Sequence, residues 1–511
     1  MEALFITTGI ALVSSLLLTP VVRRLAYRWN MVDHPDEHRK LHKNSIPLGG
    51  GLSVFSGMVI ALCSLLIVPN PWQETLRNEG GFLLSLAGAT FGLVLVGLID
   101  DRYSLRGRQK GMGQLAVVSL LIASGLLIQN VQFFGWRIEL GVMAIPFTLF
   151  WLLGAINALN LIDGVDGLAT SVGIVIGLAL AVMAFMTNHF IEGILALALV
   201  GSLTGFLYHN FPPARIFLGD AGSMLIGLIL GVLAIRSSLK GPATVALAAP
   251  TALLAIPAFD VGMAILRRKL TGRSIYSTDR GHLHHCLQHR GYSSRRTLMT
   301  IAVLCILTGL GALASILYHN EYLALGGVAA VVGTMLVTRF FGHSECLLLL
   351  RKVRRTLRSF IPSRSQSERT NDPVFSRFGG DHEWEILWGT LTNYAERFDI
   401  SAIELNVNLP ALHEEYHASW ERKSLHQPDD IWETQIPLTA DNKTVGRLRI
   451  RGMIPDHSVC NWMSDLIGGL QPFEIQIGEM IEEVIQKQAI SQQTQLLQST
   501  KSLKPAEVTT S

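Results

Sequence analysis

The stretch "NALNLIDGVDGL" (residues 157–168) ends one long apolar run and leads into another. It places Asn157, Asn160, Asp163 and Asp166 at intervals of three. Steps of three keep the first three side chains within about a third of the circumference of a helix. We interpret them as the polar end of a membrane helix facing a bundle interior, followed by a glycine-containing turn. The plain alternative is a polar helix end with no chemical role.

The composition indicates a membrane protein. The chain has 511 residues, of which 49% are hydrophobic and 16% charged, and its mean hydropathy is +0.37. A membrane-spanning helix takes about 20 mostly apolar residues. We therefore predict an all-α polytopic fold with about eleven transmembrane helices. The segments lie near residues 3–22, 48–68, 82–99, 112–128, 142–160, 168–187, 190–209, 221–239, 243–266, 298–318 and 322–340.

Basic residues predict the orientation of these helices. They are concentrated in the loops after the first, third and ninth predicted helices, and loops rich in Lys and Arg stay in the cytoplasm. The N-terminus is therefore predicted outside, and the eleventh helix delivers the C-terminal region to the cytoplasm.

A second polar cluster, "DDRYSLRGRQK" (residues 100–110), follows the third predicted helix. Adjacent carboxylates such as Asp100 and Asp101 repel each other, so near a membrane they indicate a cation or a proton-transfer role. Lys110 could face back toward them. A charged surface loop that offsets its own arginines is the alternative.

A third cluster, "FLGDAGSM" (residues 217–224), leads into the eighth predicted helix. Its glycines permit a tight turn with free backbone N–H groups at a helix N-terminus, which is an anion site. Asp220 would supply a ligand for a cation. The alternative is that Asp220 only caps the helix.

Two further clusters are rich in histidine and arginine. "DRGHLHHCLQHRGYSSRR" (residues 279–296) lacks a second pair of zinc ligands at a familiar spacing, so it suits phosphate oxygens better. "RKLHKNSIPLGGG" (residues 39–51) forms a second candidate anion site, although a positive-inside anchor explains its charges equally well. The candidate phosphate-binding residues in the two clusters are Arg39, His42, Arg280, His282, His284 and His285.

All five clusters fall on the same predicted face of the membrane. Independent helix ends would be expected on both faces, so we predict one cytoplasmic site for a divalent metal and a phosphate-rich substrate. Its hard oxygen ligands favour Mg²⁺, with Mn²⁺ as the alternative, over zinc.

The four motifs "DDRYSLRGRQK", "NALNLIDGVDGL", "FLGDAGSM" and "HLHH", in this order, resemble the polyprenyl-phosphate N-acetylhexosamine-1-phosphate transferases. This is the WecA and MraY type, glycosyl transferase family 4. The resemblance covers roughly residues 1–340. It implies a Mg²⁺-dependent bacterial enzyme of the inner membrane that transfers a sugar-1-phosphate from a UDP-sugar to a polyprenyl phosphate such as undecaprenyl phosphate. UMP is released, in the first membrane step of an envelope polysaccharide.

The resemblance also implies roles for individual residues. Asn160 and Asp220 correspond to metal ligands, and Lys110 corresponds to a phosphate-binding lysine. The residues that correspond to catalytic carboxylates, which shape the metal site or deprotonate the acceptor, are Asp100, Asp101, Asp163 and Asp166. The histidines correspond to a motif that contacts donor phosphates. Direct attack by the acceptor phosphate is favoured over a covalent aspartyl intermediate, and the resemblance leaves open a homodimer.

The sequence after the histidines differs from the branch that uses muramyl-pentapeptide, and resembles the branch that uses UDP-GlcNAc or a related amino sugar. UDP-muramyl-pentapeptide and other UDP-amino sugars stay as alternative donors. A nucleotide-sugar or lipid-linked sugar transporter is the alternative from another class. Transporters, however, place ionisable groups near the membrane midplane, whereas these clusters lie at predicted cytoplasmic helix ends. Asp260, within the ninth predicted helix, is the chief exception, and it is predicted to lie toward the cytoplasmic half. No feature indicates nucleic-acid binding, and the partners expected are the two substrates and membrane lipid.

The C-terminal third has a different composition. Residues 1–342 are predicted as the membrane domain, and residues 343–373 as a basic amphipathic helix with a linker. Residues 374–490 are predicted as a small cytoplasmic α+β domain with a hairpin across "DNKT" and a final helix, whose partner is unknown. Residues 491–511 are predicted to be disordered.

Overall fold

The computed structural model describes the chain in two compact units. It describes residues 2–33, 45–241, 244–270, 281–343, 346, 349, 374–379, 388–389, 391–392, 395, 400–409, 414–421, 431–440 and 443–453. The first unit comprises Met1–Met263 and His282–His343, and the second comprises Ala264–Gly281 and Ser344–Ser511. The predicted basic helix, the final helix of the C-terminal domain and the tail lie outside the described residues, apart from positions 346 and 349.

Helices dominate the described part of the first unit, and one of them continues past Met263 into residues of the second unit. In chain order they are α1 (Glu2–Arg28), α2 (Gly51–Ile67), α3 (Gln73–Asn78), α4 (Gly80–Tyr103), α5 (Gly107–Ala123), α6 (Ala144–Ile162), α7 (Leu168–Met186), α8 (Phe190–Asn210), α9 (Gly219–Arg236), α10 (Ala248–Leu253), α11 (Ala255–Leu270), α12 (Leu283–His289), α13 (Ser294–Leu317) and α14 (Glu321–Val337).

Among the described residues, seven helices are long and apolar enough to cross a membrane. They are Leu4–Arg28, Gly80–Tyr103, Gly141–Ile162, Leu168–Met186, Phe190–Asn210, Gly219–Arg236 and Ser294–Leu317. The chain is therefore a multi-pass membrane protein. Three more predicted spans correspond to the shorter helices α2, α5 and α14, each of 17 residues. The number eleven stays a prediction.

The single helix predicted over residues 243–266 is wrong. The structure has a short strand, then α10, and a break at Leu254 before α11 begins. Pro257 lies in the first turn of α11. Proline has no backbone N–H and its ring excludes a preceding helical turn, so it is tolerated at the start of a helix and not within one.

Helix α9 lies at the centre of the first unit. Its residues 221–235 are all buried, as expected for a helix that is apolar on every side. Small residues allow its neighbours to approach closely. A Cβ added to Gly97 of α4 would lie 2.2 Å from Cα of Ala221, and one added to Gly51 of α2 would lie 2.2 Å from the backbone N of Gly222. The first turn of α9 is therefore held between α2 and α4.

Backbone hydrogen bonds place the segment before α9. Gly50 and Gly51 donate their N–H groups to the carbonyls of Phe217 and Leu218, at 3.0 and 2.9 Å, and Phe217 donates to the carbonyl of Pro47 at 2.9 Å. The "PLGGG" segment thus pairs with the start of "FLGDAGSM". This pairing gives the glycines of the first loop a structural role.

A four-stranded sheet, which the sequence did not predict, joins two loops of the first unit. Strands β3 (Asn130–Phe133), β4 (Trp136–Glu139), β5 (Leu239–Gly241) and β6 (Thr244–Ala246) lie in the order β4-β3-β6-β5. Near the first loop, β1 (Val32–Asp33) pairs antiparallel with β2 (Ile46–Pro47). These strands have two to four residues, which is too short for a recognisable alternation of polar and apolar side chains.

The described part of the second unit contains an antiparallel sheet. Its strands are β7 (Val374–Gly379), β8 (Ile400–Leu409), β9 (Glu414–Glu421), β10 (Ile431–Ala440) and β11 (Lys443–Met453), in the order β10-β11-β8-β9-β7. The hairpin predicted across "DNKT" is confirmed, because β10 pairs with β11 from Ala440↔Lys443 to Ile431↔Met453. One face is apolar, with Leu405 and Ile450 fully buried. The other carries the ion pair of Arg449 with Glu433.

The close crossing of α4 and α9 predicts the effect of one added methyl group. Gly97→Ala should destabilise the protein by about 1–3 kcal/mol or prevent folding, because its Cβ would overlap the backbone of Ala221. Gly88→Ala in the same helix is the control, since a Cβ there would meet nothing within 4 Å, and alanine favours a helix. Thermal unfolding of both variants in detergent measures the difference. Equal melting temperatures would contradict the described crossing.

Candidate active site

The ends of four helices meet at Lys110. Its ammonium lies 3.0 Å from Oδ2 of Asp100 and 2.9 Å from Oδ2 of Asp220, and it donates to Oδ1 of Asn160 at 3.0 Å. Lys110 is in the first turn of α5 and Asp220 in the first turn of α9, whereas Asp100 and Asn160 are in the last turns of α4 and α6. The expectation that Lys110 faces back toward the paired aspartates is confirmed for Asp100.

Asn160 joins this cluster to the body of α9. Its Nδ2 donates to Oδ1 of Asp220 at 2.5 Å and to Oγ of Ser223 at 2.9 Å. One turn earlier, Nδ2 of Asn157 donates to Oε1 of Gln114 at 2.9 Å. The steps of three along α6 thus place two amides on the same side of the helix. Ser223 and Gln114 were not predicted, because nothing in the sequence near them marks their partners.

Asp101 caps α9 from another helix. Its Oδ1 accepts the backbone N–H of Asp220 at 2.8 Å, and its Oδ2 accepts that of Ala221 at 3.5 Å. The N-cap residue of α9, Leu218, offers no side-chain hydrogen bond. A carboxylate at this position satisfies free N–H groups and complements the helix dipole. Asp220 is consequently not the cap, and its carboxylate is left for the cluster around Lys110.

Asp166 holds the loop before α9. Its Oδ2 accepts the backbone N–H of Ala214 at 2.9 Å, between the cis peptide Pro212-Pro213 and the start of α9. The turn after α6 is therefore tied to the segment that carries Asp220. This contact makes Asp166 a support of the site's geometry.

Asp163 ends α6, and its carboxyl group accepts no hydrogen bond from another residue within the described part of the chain. Burial, and then the negative charges of Asp220, Asp101 and Asp166, raise the pKa of this carboxyl well above the ordinary value of 3.8, while Lys110 opposes them. A protonated or cation-bound Asp163 relieves this repulsion.

The histidine motif packs against the same turn. A Cβ added to Gly164 would lie 2.3 Å from Nε2 of His284, so this ring lies directly on the turn between Asp163 and Asp166. His284 is buried, and neither ring nitrogen has a hydrogen-bond partner among the described residues. Burial, followed by the neighbouring His285 and His282, holds the pKa of His284 well below its usual value. His284 is therefore a neutral ring beside the carboxylates.

The predicted site residues fall into two groups. The described ones, brought together at helix ends in the first unit, are Asp100, Asp101, Lys110, Asn160, Asp163, Asp166, Asp220, His282, His284 and His285. Arg39, His42 and Arg280 lie outside the described residues. The catalytic and binding roles of all of them stay predictions.

Sequence reasoning missed the role of Asp260, which it treated only as a candidate for a transport path. Asp260 is fully buried, and its Oδ2 contacts Nδ1 of His282 at 3.0 Å. An ionisable residue inside an apolar helix is by itself a signal of function. The sequence carried that signal, but its partner lies 22 residues away.

The Lys110 cluster offers oxygen donors to a metal ion. Within the described residues, no group of three or more His, Cys, Asp or Glu side chains is arranged to hold one. The oxygens of Asp100, Asn160 and Asp220 nevertheless surround one point, which the Lys110 ammonium takes at 2.9 to 3.0 Å. Carboxylate and amide oxygens are donors of the kind that Mg²⁺ accepts. The oxygens of Asp100, Asn160 and Asp220 therefore fit Mg²⁺ in the type of donor atom.

The described part of the first unit is an apolar multi-pass bundle. A lysine, carboxylates, amides and histidines lie at its adjoining helix ends. These features define a membrane protein whose polar site is of a kind that suits phosphorylated substrates. The sequence pattern of glycosyl transferase family 4 matches residues 83–238, which include the Lys110 cluster. Together with the similarity to bacterial relatives, this match shows that the chain belongs to this family of polyprenyl-phosphate sugar-1-phosphate transferases.

Relatives from several bacteria support the assignment. The chain is 34% identical over 307 residues to a probable undecaprenyl-phosphate N-acetylglucosaminyl 1-phosphate transferase of Bacillus subtilis, covering 60% of this chain and 82% of the relative. It is 34% identical over 343 residues to a decaprenyl-phosphate N-acetylglucosaminephosphotransferase of Mycolicibacterium smegmatis, covering 62% and 83%. A phospho-N-acetylmuramoyl-pentapeptide-transferase of Clostridium perfringens is 29% identical over 328 residues, covering 61% and 98%.

The raised pKa of Asp163 predicts a pH-dependent stability. Above the ordinary carboxyl range the folded protein keeps a proton that the unfolded chain releases, so stability falls as pH rises toward the folded pKa. Asp163→Asn cannot ionise and escapes this loss. In metal-free buffer the difference in melting temperature between Asp163→Asn and the wild type should shift in favour of the variant as pH rises above about 5, by up to a few degrees.

Asp163→Ala is the control for this measurement. It also lacks an ionisable group, so it should show the same pH slope as Asp163→Asn whatever its absolute stability. A wild-type slope in both variants would contradict the assignment of the titration to Asp163.

Proposed function

We propose that the protein transfers N-acetylglucosamine-1-phosphate from UDP-N-acetylglucosamine to undecaprenyl phosphate and releases UMP. The observation that carries this proposal is the Lys110 cluster, in which one cation joins Asp100, Asn160 and Asp220. The ring of His284, from the histidine motif, lies against the adjoining turn at Gly164. Positive charge, carboxylates and imidazoles at one place suit a pyrophosphate donor and a phosphate acceptor.

The relatives support the choice of donor. The two at 34% identity are named as a probable N-acetylglucosaminyl 1-phosphate transferase for undecaprenyl phosphate and an N-acetylglucosaminephosphotransferase for decaprenyl phosphate. The muramoyl-pentapeptide relative is less similar, at 29%. Other UDP-amino sugars present the same phosphates to the site, so they belong in any assay of donor choice.

The protein needs to form no covalent bond to the substrates in this reaction. An oxygen of the acceptor phosphate attacks the β-phosphorus of the donor. The bond from that phosphorus to the oxygen bridging to the α-phosphate breaks, and UMP leaves with the bond's electron pair. Positioning and charge neutralisation dominate such a transfer. The three ammonium donors of Lys110 contact Asp100, Asn160 and Asp220. Lys110 would bind a phosphate oxygen by exchanging one of these contacts for it.

Direct attack is supported by the contacts of the paired aspartates. Both oxygens of Asp101 accept backbone N–H groups of α9. Asp100 accepts the backbone N–H of Leu105 at 2.7 Å through Oδ1 and contacts Lys110 through Oδ2. Each of the four carboxylate oxygens is thus engaged by an N–H group or by Lys110, which disfavours a covalent aspartyl intermediate.

Magnesium is part of the proposal. Asp220 and Asn160 would hold it, with Asp100 beside them. A bound Mg²⁺ would withdraw charge from the pyrophosphate and stabilise UMP as a leaving group. His284, whose low pKa keeps its ring neutral, would donate a hydrogen bond to a phosphate oxygen, while Lys110 supplies the positive charge.

The lipid acceptor determines where the site lies relative to the membrane. Its isoprenoid chain stays in the lipid while its phosphate reaches the helix ends that carry the site. We place this site and the second unit on the cytoplasmic side of a bacterial inner membrane, with the N-terminus outside. The basic loops and the soluble UDP-sugar support this orientation.

The proposal is tested with the purified full-length chain in detergent, undecaprenyl phosphate, Mg²⁺ and a panel of UDP-sugars. UMP and the lipid-linked sugar phosphate should form together with UDP-N-acetylglucosamine and stop on chelation. Asp220→Asn should lower the rate by about 100-fold or more, because it removes charge from the cluster. Glu192→Gln removes a buried carboxylate that pairs with Arg236 away from the site, and should keep the activity of the fraction that folds.

Product with another UDP-amino sugar alone would change the donor and keep the reaction. The absence of UMP and lipid product with every donor, while a relative works in parallel, would overturn the proposal and favour transport.

A further inference from the structure

Asp260 is a buried carboxylate with both oxygens engaged by the histidine motif. It has no exposed surface. Oδ2 lies 3.0 Å from Nδ1 of His282, and Oδ1 accepts the backbone N–H of Leu283 at 2.8 Å. Burying a carboxylate is costly unless hydrogen bonds replace its water. Its position inside α11 is therefore tied to these two contacts.

One of the contacts fixes where α12 begins. His282 is the N-cap residue of α12, yet its side chain makes no capping hydrogen bond. The first N–H groups of a helix need acceptors from outside it. Asp260 supplies one from α11 to Leu283, the first residue of α12.

The other contact fixes the ring of His282. When a neighbour engages one imidazole nitrogen, it determines which nitrogen carries the proton and leaves the other for a ligand. A carboxylate accepts hydrogen bonds only, so Nδ1 of His282 is the donor and Nε2 is the nitrogen left over.

The position of α12 also affects the turn that carries Asp163 and Asp166. The rings of His282 and His284 are nearly parallel, with centroids 5.9 Å apart and an angle of 4° between their planes. His284 in turn lies against Gly164. Because α12 carries His284, a shift of α12 would move the ring that packs on the turn beside Asp163.

We propose that Asp260 is a positioning residue for the sugar-nucleotide site: it holds Nδ1–H of His282 and the first turn of α12, so that Nε2 of His282 is presented to the donor phosphates. This inference rests on the proposed function for the identity of the ligand. The bond from Asp260 to His282 is independent of it.

The test uses the full-length chain in lipid with ¹⁵N-labelled histidine. Solid-state NMR reports which ring nitrogen is protonated, and His282 is assigned by comparison with His282→Asn. Asp260→Asn keeps an acceptor for Leu283 but turns an NH₂ group toward Nδ1. The proton of His282 should therefore move to Nε2, and the KM for the UDP-sugar should rise about 10-fold or more, with the KM for undecaprenyl phosphate unchanged.

His282→Asn separates positioning from simple capping. The asparagine NH₂ group replaces Nδ1–H as the donor to Asp260 but provides nothing in place of Nε2. It should raise the donor KM as much as Asp260→Asn does, and the double variant should be no worse than either single one. Glu192→Gln, which removes another buried carboxylate, should leave the His282 signals and the donor KM unchanged.

Two results would overturn the positioning role. One is an unchanged His282 proton position in Asp260→Asn, a measurement that needs no turnover. The other is a wild-type donor KM in His282→Asn, which would reduce Asp260 to a cap of α12. If the proton moves but the wild-type chain transfers no sugar phosphate, the proposed function fails while the Asp260–His282 link stands.

Discussion

The site depends on a single ammonium group. Lys110 lies within 3.0 Å of oxygens from Asp100, Asn160 and Asp220, which come from the ends of three different helices. Without the cation between them, the carboxylates of Asp100 and Asp220 would repel each other. They would also have lost part of their hydration without compensation. The cation allows the ends of α4, α6 and α9 to meet. In the proposed function, the same ammonium exchanges one of these contacts for a phosphate oxygen when the substrate binds.

The other acidic residues connect segments of the backbone. Asp101 caps α9, Asp166 binds the loop at Ala214, and Asp260 caps α12. Each carboxylate acts on an element distant in sequence, so the motif residues determine the geometry of the site as well as its charge. Substitution of these acids would therefore disturb positions as well as chemistry. A loss of activity alone would not identify any of them as a catalytic group.

The sequence predicted the parts of this structure that local patterns encode. Apolar runs located most of the helices, and alternation located the β10–β11 hairpin. The break at Leu254 was missed because its apolar neighbours continue on both sides and Pro257 alone marks the boundary. The short strands β3 to β6 were missed because pairing such as Asn130 with Thr244 depends on the fold. No pattern of two to four residues reports such pairing.

The site was predicted in the same uneven way. The motif residues all fall on one predicted face of the membrane, so the sequence alone is enough to group them. The supporting contacts join residues far apart, such as Gln114 with Asn157 and Asp260 with His282. Most of these partners carry no local signal in the sequence. Only the packing of the bundle shows which of them meet.

We propose that the Lys110 cluster and the histidine motif form one binding site. The most direct measurement is a cryo-EM map of the full-length chain in lipid with UDP-N-acetylglucosamine and Mg²⁺. We expect pyrophosphate density between Lys110 and His284, with the metal beside Asp220. Nucleotide density elsewhere in the bundle, with the Lys110 contacts intact, would contradict the claim.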